Sequence, residues 1–420
     1  MATAIDVLGA LVALAGLMRL CGQVAAGMDR PSDFTAYFLA ARGHALGLDY
    51  YRRETLEALA AAAGLAGDLG PYLYPPLFAA VLSPLAQLDY PVARWLWAAG
   101  EILALAFSLH LLRAATGLRL GRGWRGPALA FVVLFPPTGD DLLKGQVTSL
   151  LLLLCAGAWL AQRRARPEIA GVLLAVATAL KVAPGLLLLY LALRRDWRAL
   201  GAAAAAGAAL LGLSLLLAGP ERHAQYLRDT LPSIGVQVGA LANVSLPGLL
   251  ARLFAPDSLF GPLLANASLH VASLGVALVA VAVVCARAIM ADARVDAGRA
   301  WGFPLAVTAM LLVSPSSQAY TLLLAVVALA LLLARFRSVA GPAAWRTFDL
   351  LAVAAMLLSV PPDLQLNPGL AAACGLPTSP AGGLAFAIAA LPTIGLLALF
   401  AALASLAQAP TERRAKANER

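Results

Sequence analysis

Long runs of apolar residues alternate with shorter polar segments along the 420 residues of this chain. Residues 150–160 and 199–218 contain no charged side chain, and repeated blocks of this kind are typical of membrane-spanning helices. Several blocks are shorter than the roughly 20 residues of a straight span, so some spans must be broken. We predict an all-α integral membrane protein, a single domain over residues 1–420, with about twelve spans (ten to thirteen). They lie at 6–26, 92–113, 126–138, 147–161, 169–181, 184–193, 199–218, 264–288, 300–314, 318–335, 347–360 and 383–407.

The first block, residues 6–26, is either a membrane span or a cleaved signal peptide. No basic segment precedes its apolar run, and the run is longer than the ~7–15 apolar residues of a usual signal peptide. Both features favour a retained span.

Composition and charge exclude several classes of protein. With 61% hydrophobic and 13% charged residues, the chain is far more apolar than a soluble globular enzyme. Its four cysteines, Cys21, Cys155, Cys285 and Cys374, are widely scattered, so we expect neither a metal motif nor a disulfide framework. The formal net charge is +9. The charged residues must first be assigned to the two sides of the membrane before this charge can indicate a binding partner.

Positive residues recur in alternate connections between the predicted spans. Because Lys and Arg concentrate in cytoplasmic loops, this pattern places both termini and the basic tail 409–420 in the cytoplasm. It places two long loops, 27–91 and 219–263, outside, where we expect ordered caps. The basic excess therefore indicates orientation in a cell membrane and not a nucleic-acid partner. The clusters are Arg113, Arg119, Arg122 and Arg125; Arg163, Arg164 and Arg166; Arg194, Arg195 and Arg198; Arg287, Arg294 and Arg299; Arg335, Arg337 and Arg346; and Arg413, Arg414, Lys416 and Arg420.

Residues 169–193 have arginine clusters at both ends, which requires this segment to leave the cytoplasm and return. Pro184 lacks a backbone donor and biases its predecessor away from helix, so we predict a break at Lys181–Pro184. The alternative is one ordinary span. A lysine inside an apolar stretch is treated as functional by default, although Lys181 could instead extend to the outer interface.

The strongest candidate for chemistry is Asp33, at the start of the first external loop. It precedes a helical pattern that puts Tyr37 on the same helix face, at i+4. One interpretation is that Ser32 or Asp33 caps this helix. The other is that Asp33 is a carboxylate held at the membrane surface, where it can act as a general base toward a hydroxyl.

Tyrosines are dense later in this loop, where Tyr74 precedes the pair Pro75–Pro76. An interfacial aromatic belt would explain them. Because the prolines fix the backbone, the tyrosines also suit a rigid wall for a sugar or a polyprenyl chain. We therefore count Tyr37 and Tyr74 as candidate substrate contacts.

Cationic and amide side chains near helix breaks are candidates for binding a phosphate. The segment 144–146 is predicted to open an apolar helix, and helix N-termini bind anions. A lysine at such a position adds a full positive charge. The candidates are Lys144, Gln146, Lys181 and Arg42.

Four acidic or basic residues have less specific interpretations. Asp140 and Asp141 either ligate a divalent cation together with a diphosphate or simply face water. Arg19 and Glu101 also lie inside predicted spans and are candidates for an ion pair.

Further polar candidates lie in the second long loop and after residue 314. Asn243 and Ser245 suit sugar hydroxyls, although Asn-x-Ser is also common turn chemistry. Gln318 and Tyr320 follow a Ser-Pro helix start and are counted as candidate substrate contacts.

Taken in chain order, these motifs resemble glycosyltransferase family 87 over about residues 28 to 330. The resemblance implies a GT-C-type multispanning helical bundle and an enzyme that uses polyprenol-phosphate mannose. It also implies that Asp33 is the catalytic aspartate, that the mechanism is inverting and that no metal is required. The chain departs from the family at Tyr320, where members often carry histidine. The matching segments are Ser32–Arg42, Tyr74–Phe78, Gly145–Val147, Ala179–Pro184, Asn243–Gly248 and Ser314–Pro315.

We therefore predict a membrane glycosyltransferase that moves a hexose, mannose by resemblance, from a polyprenyl-phosphate sugar to a glycolipid or glycan acceptor on the external face. Asp33 is the expected base, cationic residues stabilise the leaving phosphate, and no cofactor is expected. One alternative is a transporter or flippase of a lipid-linked sugar, which explains Lys181 but needs no external carboxylate. Another is an assembly subunit with a decayed site.

Overall fold

A computed structural model describes residues 1–65, 67–234, 239–256, 262–293, 301–339, 342–360 and 383–408. Over these ranges the chain forms helices joined by turns and loops, with no β-strand, which confirms the predicted all-α class. The predicted cytoplasmic tail 409–420, Arg294, Arg299 and Cys374 lie outside the described residues. The chain divides into two compact units.

The first unit contains most of the N-terminal half of the chain. It comprises the described residues of Met1–Gly185, Arg198–Val238 and Gln318–Leu324. Numbered along the chain, its helices are α1 (Ala2–Ala26), α2 (Asp33–Ala45), α3 (Arg53–Ala62), α4 (Pro76–Leu82), α5 (Tyr90–Thr116), α6 (Arg125–Leu134), α7 (Pro136–Lys144), α8 (Thr148–Arg163), α9 (Pro167–Leu180), α11 (Trp197–Gln225) and α12 (Leu231–Ser233).

The second unit is built around one fully buried helix. Residues Gly302–Leu312 of α15 are all buried, because α10, α14, α16 and α18 pack around it, as expected for a helix that is apolar on every face. The helices of this unit are α10 (Leu186–Leu193), α13 (Leu246–Phe254), α14 (Ala267–Ala293), α15 (Gly302–Val313), α16 (Val326–Ser338), α17 (Pro342–Leu358) and α18 (Gly383–Gln408).

Six helices in the described part of the chain are long and apolar enough to cross a bilayer, which makes this a multi-pass membrane protein. The bent pair α7 and α8 raises the number to seven if it counts as one span. Other predicted spans correspond to apolar helices of 10–17 residues, shorter than a straight span needs. Within the described residues, the helices that qualify as spans by length and composition are therefore fewer than the predicted twelve. The short helices are Arg125–Leu134, Pro167–Leu180, Ala183–Leu193 and Gly302–Val313.

The first predicted span, α1, packs closely along α6. Gly9 and Gly126 form the contact, and a Cβ atom on either glycine would clash with the backbone of the other helix. The Asp6 carboxylate accepts hydrogen bonds from the backbone N–H groups of Gly123 (2.7 Å) and Gly126 (3.1 Å). It thereby satisfies free donors at the start of α6. These contacts make α1 an integral part of the first unit.

Two helix breaks in the first unit position the candidate site. Helices α7 and α8 are bent by 120° around Gly145, which has a left-handed conformation. Helix α9 ends at Leu180, and Lys181 is extended (φ −148°, ψ 132°) before the short 3₁₀ turn Ala183–Gly185. The break predicted at Lys181–Pro184 is confirmed.

Candidate active site

Asp33 is the first residue of α2, because Ser32 takes the N-cap position with an extended backbone (φ −129°, ψ 177°). The Ser32 backbone N–H donates to Thr35 Oγ1 at 2.8 Å, and Thr35 Oγ1 lies 2.8 Å from the Tyr90 hydroxyl. Of the two residues that the sequence offered as the N-cap of this helix, Ser32 has the N-cap position. The half-buried Asp33 carboxylate remains available to a different partner.

That partner is the side-chain amide of Gln146, whose Nε2 donates to Asp33 Oδ2 at 2.5 Å. Gln146 Oε1 accepts from the Tyr74 hydroxyl at 2.9 Å. The Tyr37 hydroxyl lies 3.0 Å from the same oxygen and 2.8 Å from the Tyr74 oxygen, so its single proton serves one acceptor at a time. Because phenolic donors face the amide oxygen, the amide presents its NH₂ group to Asp33.

Both phenols retain the proton that this arrangement requires. Burial, with smaller effects of Tyr74 and Asp33, raises the pKa of Tyr37 well above its usual value. Burial likewise raises the pKa of Tyr74. The two rings are buried and pack edge to face at 4.7 Å. They therefore support Gln146, and their contact with a sugar or a polyprenyl chain stays a prediction.

A glycine allows Gln146 to approach α2. Gly145 has φ +66°, and a Cβ atom there would lie 2.6 Å from Phe34 Cβ. A side chain at this position would therefore separate the α7–α8 turn from the first turn of α2. Trp97 on α5 holds the same turn, because its indole N–H donates to the Gly145 carbonyl at 2.9 Å.

Arg94, also on α5, is a buried cation that sequence reasoning missed. It is 3% exposed, donates to the carbonyls of Leu142 and Leu143, and lies 3.6 Å from Glu101. The pairing suggested between Glu101 and Arg19 does not form, because Arg19 is exposed. Arg94 and Glu101 are seven positions apart, which places them on one helix face. That spacing was a usable signal.

Lys144 and Lys181 meet at the ring of Tyr320. The ammonium nitrogen of Lys181 lies 5.0 Å from the ring centroid, and that of Lys144 lies 5.4 Å from it. Both distances fall within the ≈ 6 Å range of cation–π attraction. The Lys181 nitrogen is also 5.8 Å from the Tyr74 ring, and the Asp33 carboxylate acts on it electrostatically. The first unit thus brings both lysines, Tyr320 and the Asp33 network together.

The prediction that residues 144–146 open a helix is wrong, because Lys144 ends α7. The start of α8 already holds a carboxylate: Asp141 accepts from the backbone N–H groups of Thr148 and Ser149, each at 3.0 Å, and from the Ser149 hydroxyl at 2.6 Å. Asp140 pairs with Lys144 at 2.8 Å. In the part of the chain that the structure describes, no group of His, Cys, Asp and Glu is arranged as a metal site.

Asn243 and Ser245 lie in the second unit, where both side chains are fully buried. Asn243 Oδ1 accepts from the Ser245 backbone (3.2 Å) and hydroxyl (2.8 Å) and from the Ser317 backbone (3.2 Å). Its Nδ2 donates to the Pro315 carbonyl at 2.9 Å. The Ser245 hydroxyl caps α13 by accepting from the Gly248 N–H at 3.1 Å. These bonds join two loops, which supports the turn interpretation over sugar binding.

The two remaining candidates occupy different positions in the first unit. Arg42 lies on the last turn of α2, about 13 Å along the helix axis from Asp33, and is exposed. The structure does not bring it to the lysines. The Gln318 carbonyl accepts from the backbone and the hydroxyl of Thr321. Gln318 therefore begins the 3₁₀ helix Ala319–Ala325 that carries Tyr320.

The sequence model of glycosyltransferase family 87 matches residues 72–315, more than half of the chain. The matched range includes Tyr74, Gln146 and Lys181. It begins after Asp33 and ends before Tyr320.

Two mycobacterial relatives resemble the chain over part of its length. One is the polyprenol-phosphate-mannose-dependent alpha-(1-2)-phosphatidylinositol pentamannoside mannosyltransferase of Mycolicibacterium smegmatis, 30% identical over 198 residues (46% of this chain, 47% of the relative). The other is the polyprenol-phosphate-mannose-dependent alpha-(1-2)-phosphatidylinositol mannoside mannosyltransferase of Mycobacterium tuberculosis, 30% identical over 230 residues (48% and 50%). The chain spans about half the length of the curated relatives it matches.

Proposed function

The chain belongs to glycosyltransferase family 87, and on that premise we propose that it transfers mannose from a polyprenyl-phosphate donor to a glycolipid acceptor. The names of the two mycobacterial relatives state a polyprenol-phosphate-mannose donor and phosphatidylinositol mannoside acceptors. A multi-pass membrane protein suits such substrates, because lipid anchors hold both reacting groups at the bilayer surface.

Asp33 is the general base of the proposed reaction. It takes the proton of an acceptor hydroxyl, and the oxygen attacks the anomeric carbon of the donor sugar as the bond from that carbon to the phosphate oxygen breaks. The polyprenyl phosphate leaves with the bonding electrons, and in-line attack inverts the anomeric configuration. Gln146 holds Asp33 Oδ2, which leaves Oδ1 to face the acceptor hydroxyl and fixes the direction of proton transfer.

Lys181 and Lys144 stabilise the leaving phosphate. The leaving group is already an anion, so it needs neutralisation of charge more than a proton. Both ammonium groups already lie at the Tyr320 ring and require little reorganisation. Tyr320 thus takes the place of the family's usual histidine by positioning two cations.

The observation that carries this proposal is the hydrogen bond from Gln146 to Asp33, with two tyrosines fixing the amide. A carboxylate that only capped a helix would need no such support, and Ser32 already has the cap position. The arrangement supports a base held in one orientation beside cations that suit a phosphate.

The external face is the proposed side of the reaction. Asp33 and Tyr74 fall in the loop 27–91, which the distribution of Lys and Arg assigns to the outside. In this orientation both chain termini are cytoplasmic. Cysteine labelling at position 29 in intact cells tests it: modification by a membrane-impermeant reagent supports an external loop, and protection until lysis contradicts it.

Replacement of the base tests the proposed chemistry. Asp33→Asn should reduce mannosyl transfer by at least about 100-fold, because general-base catalysis contributes about 10²–10⁴-fold. Asp29→Asn is the matched control, since Asp29 is an exposed acid of the same loop. The assay measures labelled mannose moved from polyprenyl-phosphate mannose to phosphatidylinositol mannoside in detergent. Undiminished transfer by Asp33→Asn would refute the assignment.

A further inference from the structure

The C-terminal end of α7, just before Gln146, is held by a side chain of α5. The last carbonyls of a helix have no partner within the helix itself. The Arg94 guanidinium reaches two of these carbonyls in α7, because its Nη2 donates to Leu142 and Leu143. Gln146 follows Leu143 by three residues, so this contact fixes the segment from which the Gln146 side chain reaches Asp33.

The same guanidinium packs on the first turn of α2. Arg94 Cζ lies 5.6 Å from the centroid of the Phe34 ring, within the ≈ 6 Å range of cation–π attraction. Phe34 is fully buried and directly follows Asp33. A Cβ atom on Gly145 would lie 3.2 Å from Arg94 Cζ and 2.6 Å from Phe34 Cβ, so the α7–α8 turn fits between these two side chains. Arg94 therefore contacts both segments that the hydrogen bond between Gln146 and Asp33 joins.

The buried charge of Arg94 is better explained by orientation than by stability. Arg94 and Glu101 are 3% and 2% exposed, and Arg94 Nη1 lies 3.6 Å from Glu101 Oε2, too far for a hydrogen bond. Among the described residues, neither this nitrogen nor either Glu101 oxygen has a hydrogen-bond partner. Apolar residues can often replace such a pair without loss of stability. They cannot replace the planar fork of donors that the guanidinium directs at the end of α7.

Arg252 of the second unit is a buried arginine that serves for comparison. It is 2% exposed and donates to the carbonyls of Ala240, Asn243 and Ala389. These carbonyls lie in the second unit, whereas the proposed catalytic residues lie in the first. Both arginines thus satisfy backbone carbonyls, but only the carbonyls that Arg94 holds lead directly to the proposed site.

We propose that Arg94 is a positioning residue that sets the hydrogen bond between Gln146 and Asp33, with Glu101 as its counter-charge. This inference rests on the proposed function, in which that bond orients the general base. Because Arg94 is itself buried, it acts through the α7–α8 turn and through Phe34. Without the guanidinium the amide and the carboxylate are less well aligned, and a misplacement of about 1 Å can cost about 100-fold in rate.

Replacement of the ion pair by apolar side chains tests this role without leaving a buried charge unpaired. The double variant Arg94→Met with Glu101→Met should fold, because such replacements are often neutral or stabilising. In mannosyl transfer from polyprenyl-phosphate mannose to phosphatidylinositol mannoside, its kcat per folded molecule should fall about 10-fold, with the acceptor KM within about 2-fold of the wild type. Arg252→Lys is the matched control, which should lower the thermal midpoint and leave kcat per folded molecule unchanged.

A double-mutant cycle with Gln146 separates positioning from a general structural role. If Arg94 acts through Gln146, replacement of the ion pair in a Gln146→Leu background should change kcat by less than about 2-fold. An equal loss of rate in both backgrounds, or an unchanged kcat in the wild-type background, would overturn the proposal. If the double variant does not fold, Arg94→Lys takes its place in the cycle, because it keeps the charge near Glu101 but lacks the planar fork of donors.

Failure of the proposed function would be seen separately, as a wild-type protein that transfers no mannose. The side-chain amide of Gln146 then provides the measurement by ¹⁵N NMR, with its signals assigned by their loss in Gln146→Leu. Slow exchange of the amide protons with solvent in the wild type, and faster exchange in the ion-pair variant, supports the positioning role of Arg94. Equal exchange in the two proteins contradicts it.

Discussion

The amide of Gln146 in the first unit and the amide of Asn243 in the second are both buried and both hydrogen-bonded, yet their surroundings differ. Gln146 donates to Asp33, a half-buried carboxylate that retains a second oxygen. Asn243 bonds to the buried Ser245 hydroxyl and to backbone groups of the two loops that it joins. Sequence patterns suggested ligand contacts at both places. The two places differ in whether a polar atom stays accessible to a ligand once the hydrogen bonds within the protein have formed.

The same distinction applies to the two lysines of the first unit. Lys144 has an ion pair with Asp140 at 2.8 Å. The Lys181 ammonium has aromatic neighbours but no hydrogen bond or ion pair in the described segments. We therefore expect Lys181 to contribute more than Lys144 to binding the phosphate in the proposed reaction, although both lie at the Tyr320 ring.

Changes at Gln146 should have the largest effect among the supporting residues. Gln146→Leu removes a charge-assisted hydrogen bond worth about 1.5–3 kcal/mol, so kcat should fall roughly 10- to 100-fold. Gln146→Glu keeps an acceptor for the tyrosines but places a like charge beside Asp33. Its acid limb in the pH–rate profile should move to higher pH, because a neighbouring carboxylate favours protonation.

The pH–rate profiles of both variants separate orientation from general damage. A shift confined to Gln146→Glu, with equal thermal midpoints for the two proteins, is the expected outcome. If both variants keep the kcat of the wild type, Gln146 does not position the base.

Substitution of the two lysines should change the KM for the donor by different amounts, with a smaller effect than substitution of Gln146. Lys181→Ala should raise the donor KM about 10-fold, which corresponds to roughly 1.4 kcal/mol, while Lys144→Ala should raise it less because Asp140 already competes for that charge. Initial rates at varied polyprenyl-phosphate mannose measure both. Asp140→Asn is the informative control, since release of Lys144 should lower the donor KM. The reverse ranking of the two lysines would contradict the comparison.

Asn243→Ala should change activity least. The substitution leaves buried partners unsatisfied, at about 1–3 kcal/mol for each, so the thermal midpoint should fall. The rate per folded molecule and both KM values should remain those of the wild type. A specific rise in the acceptor KM without loss of stability would return Asn243 to the substrate site.

Local signals in the sequence predicted much of the fold. Pro184 predicted the helix break beside Lys181, and the Ser32–Asp33 pair predicted the start of α2. Both predictions are local, because caps and prolines act on their immediate neighbours. The same local reasoning misplaced Lys144, since it could not tell that Gly145 ends one helix and that Asp141 occupies the start of the next.

The contacts that form the candidate site are distant in sequence. Gln146 reaches Asp33 across 113 positions, and it does so because Gly145 has no side chain to hold Phe34 away. No pattern within one segment encodes such an approach. Arg94 and Glu101 are the exception, because seven positions on one helix is a local spacing that predicts a shared face.

Release of polyprenyl phosphate by the purified protein is the most direct test of the central claim. Incubation in detergent with polyprenyl-phosphate mannose and phosphatidylinositol mannoside should yield one polyprenyl phosphate for each mannose transferred, and Asp33→Asn should yield almost none. A protein that moves the donor across a liposome bilayer but releases no polyprenyl phosphate in detergent would be a transporter, and the account would be wrong.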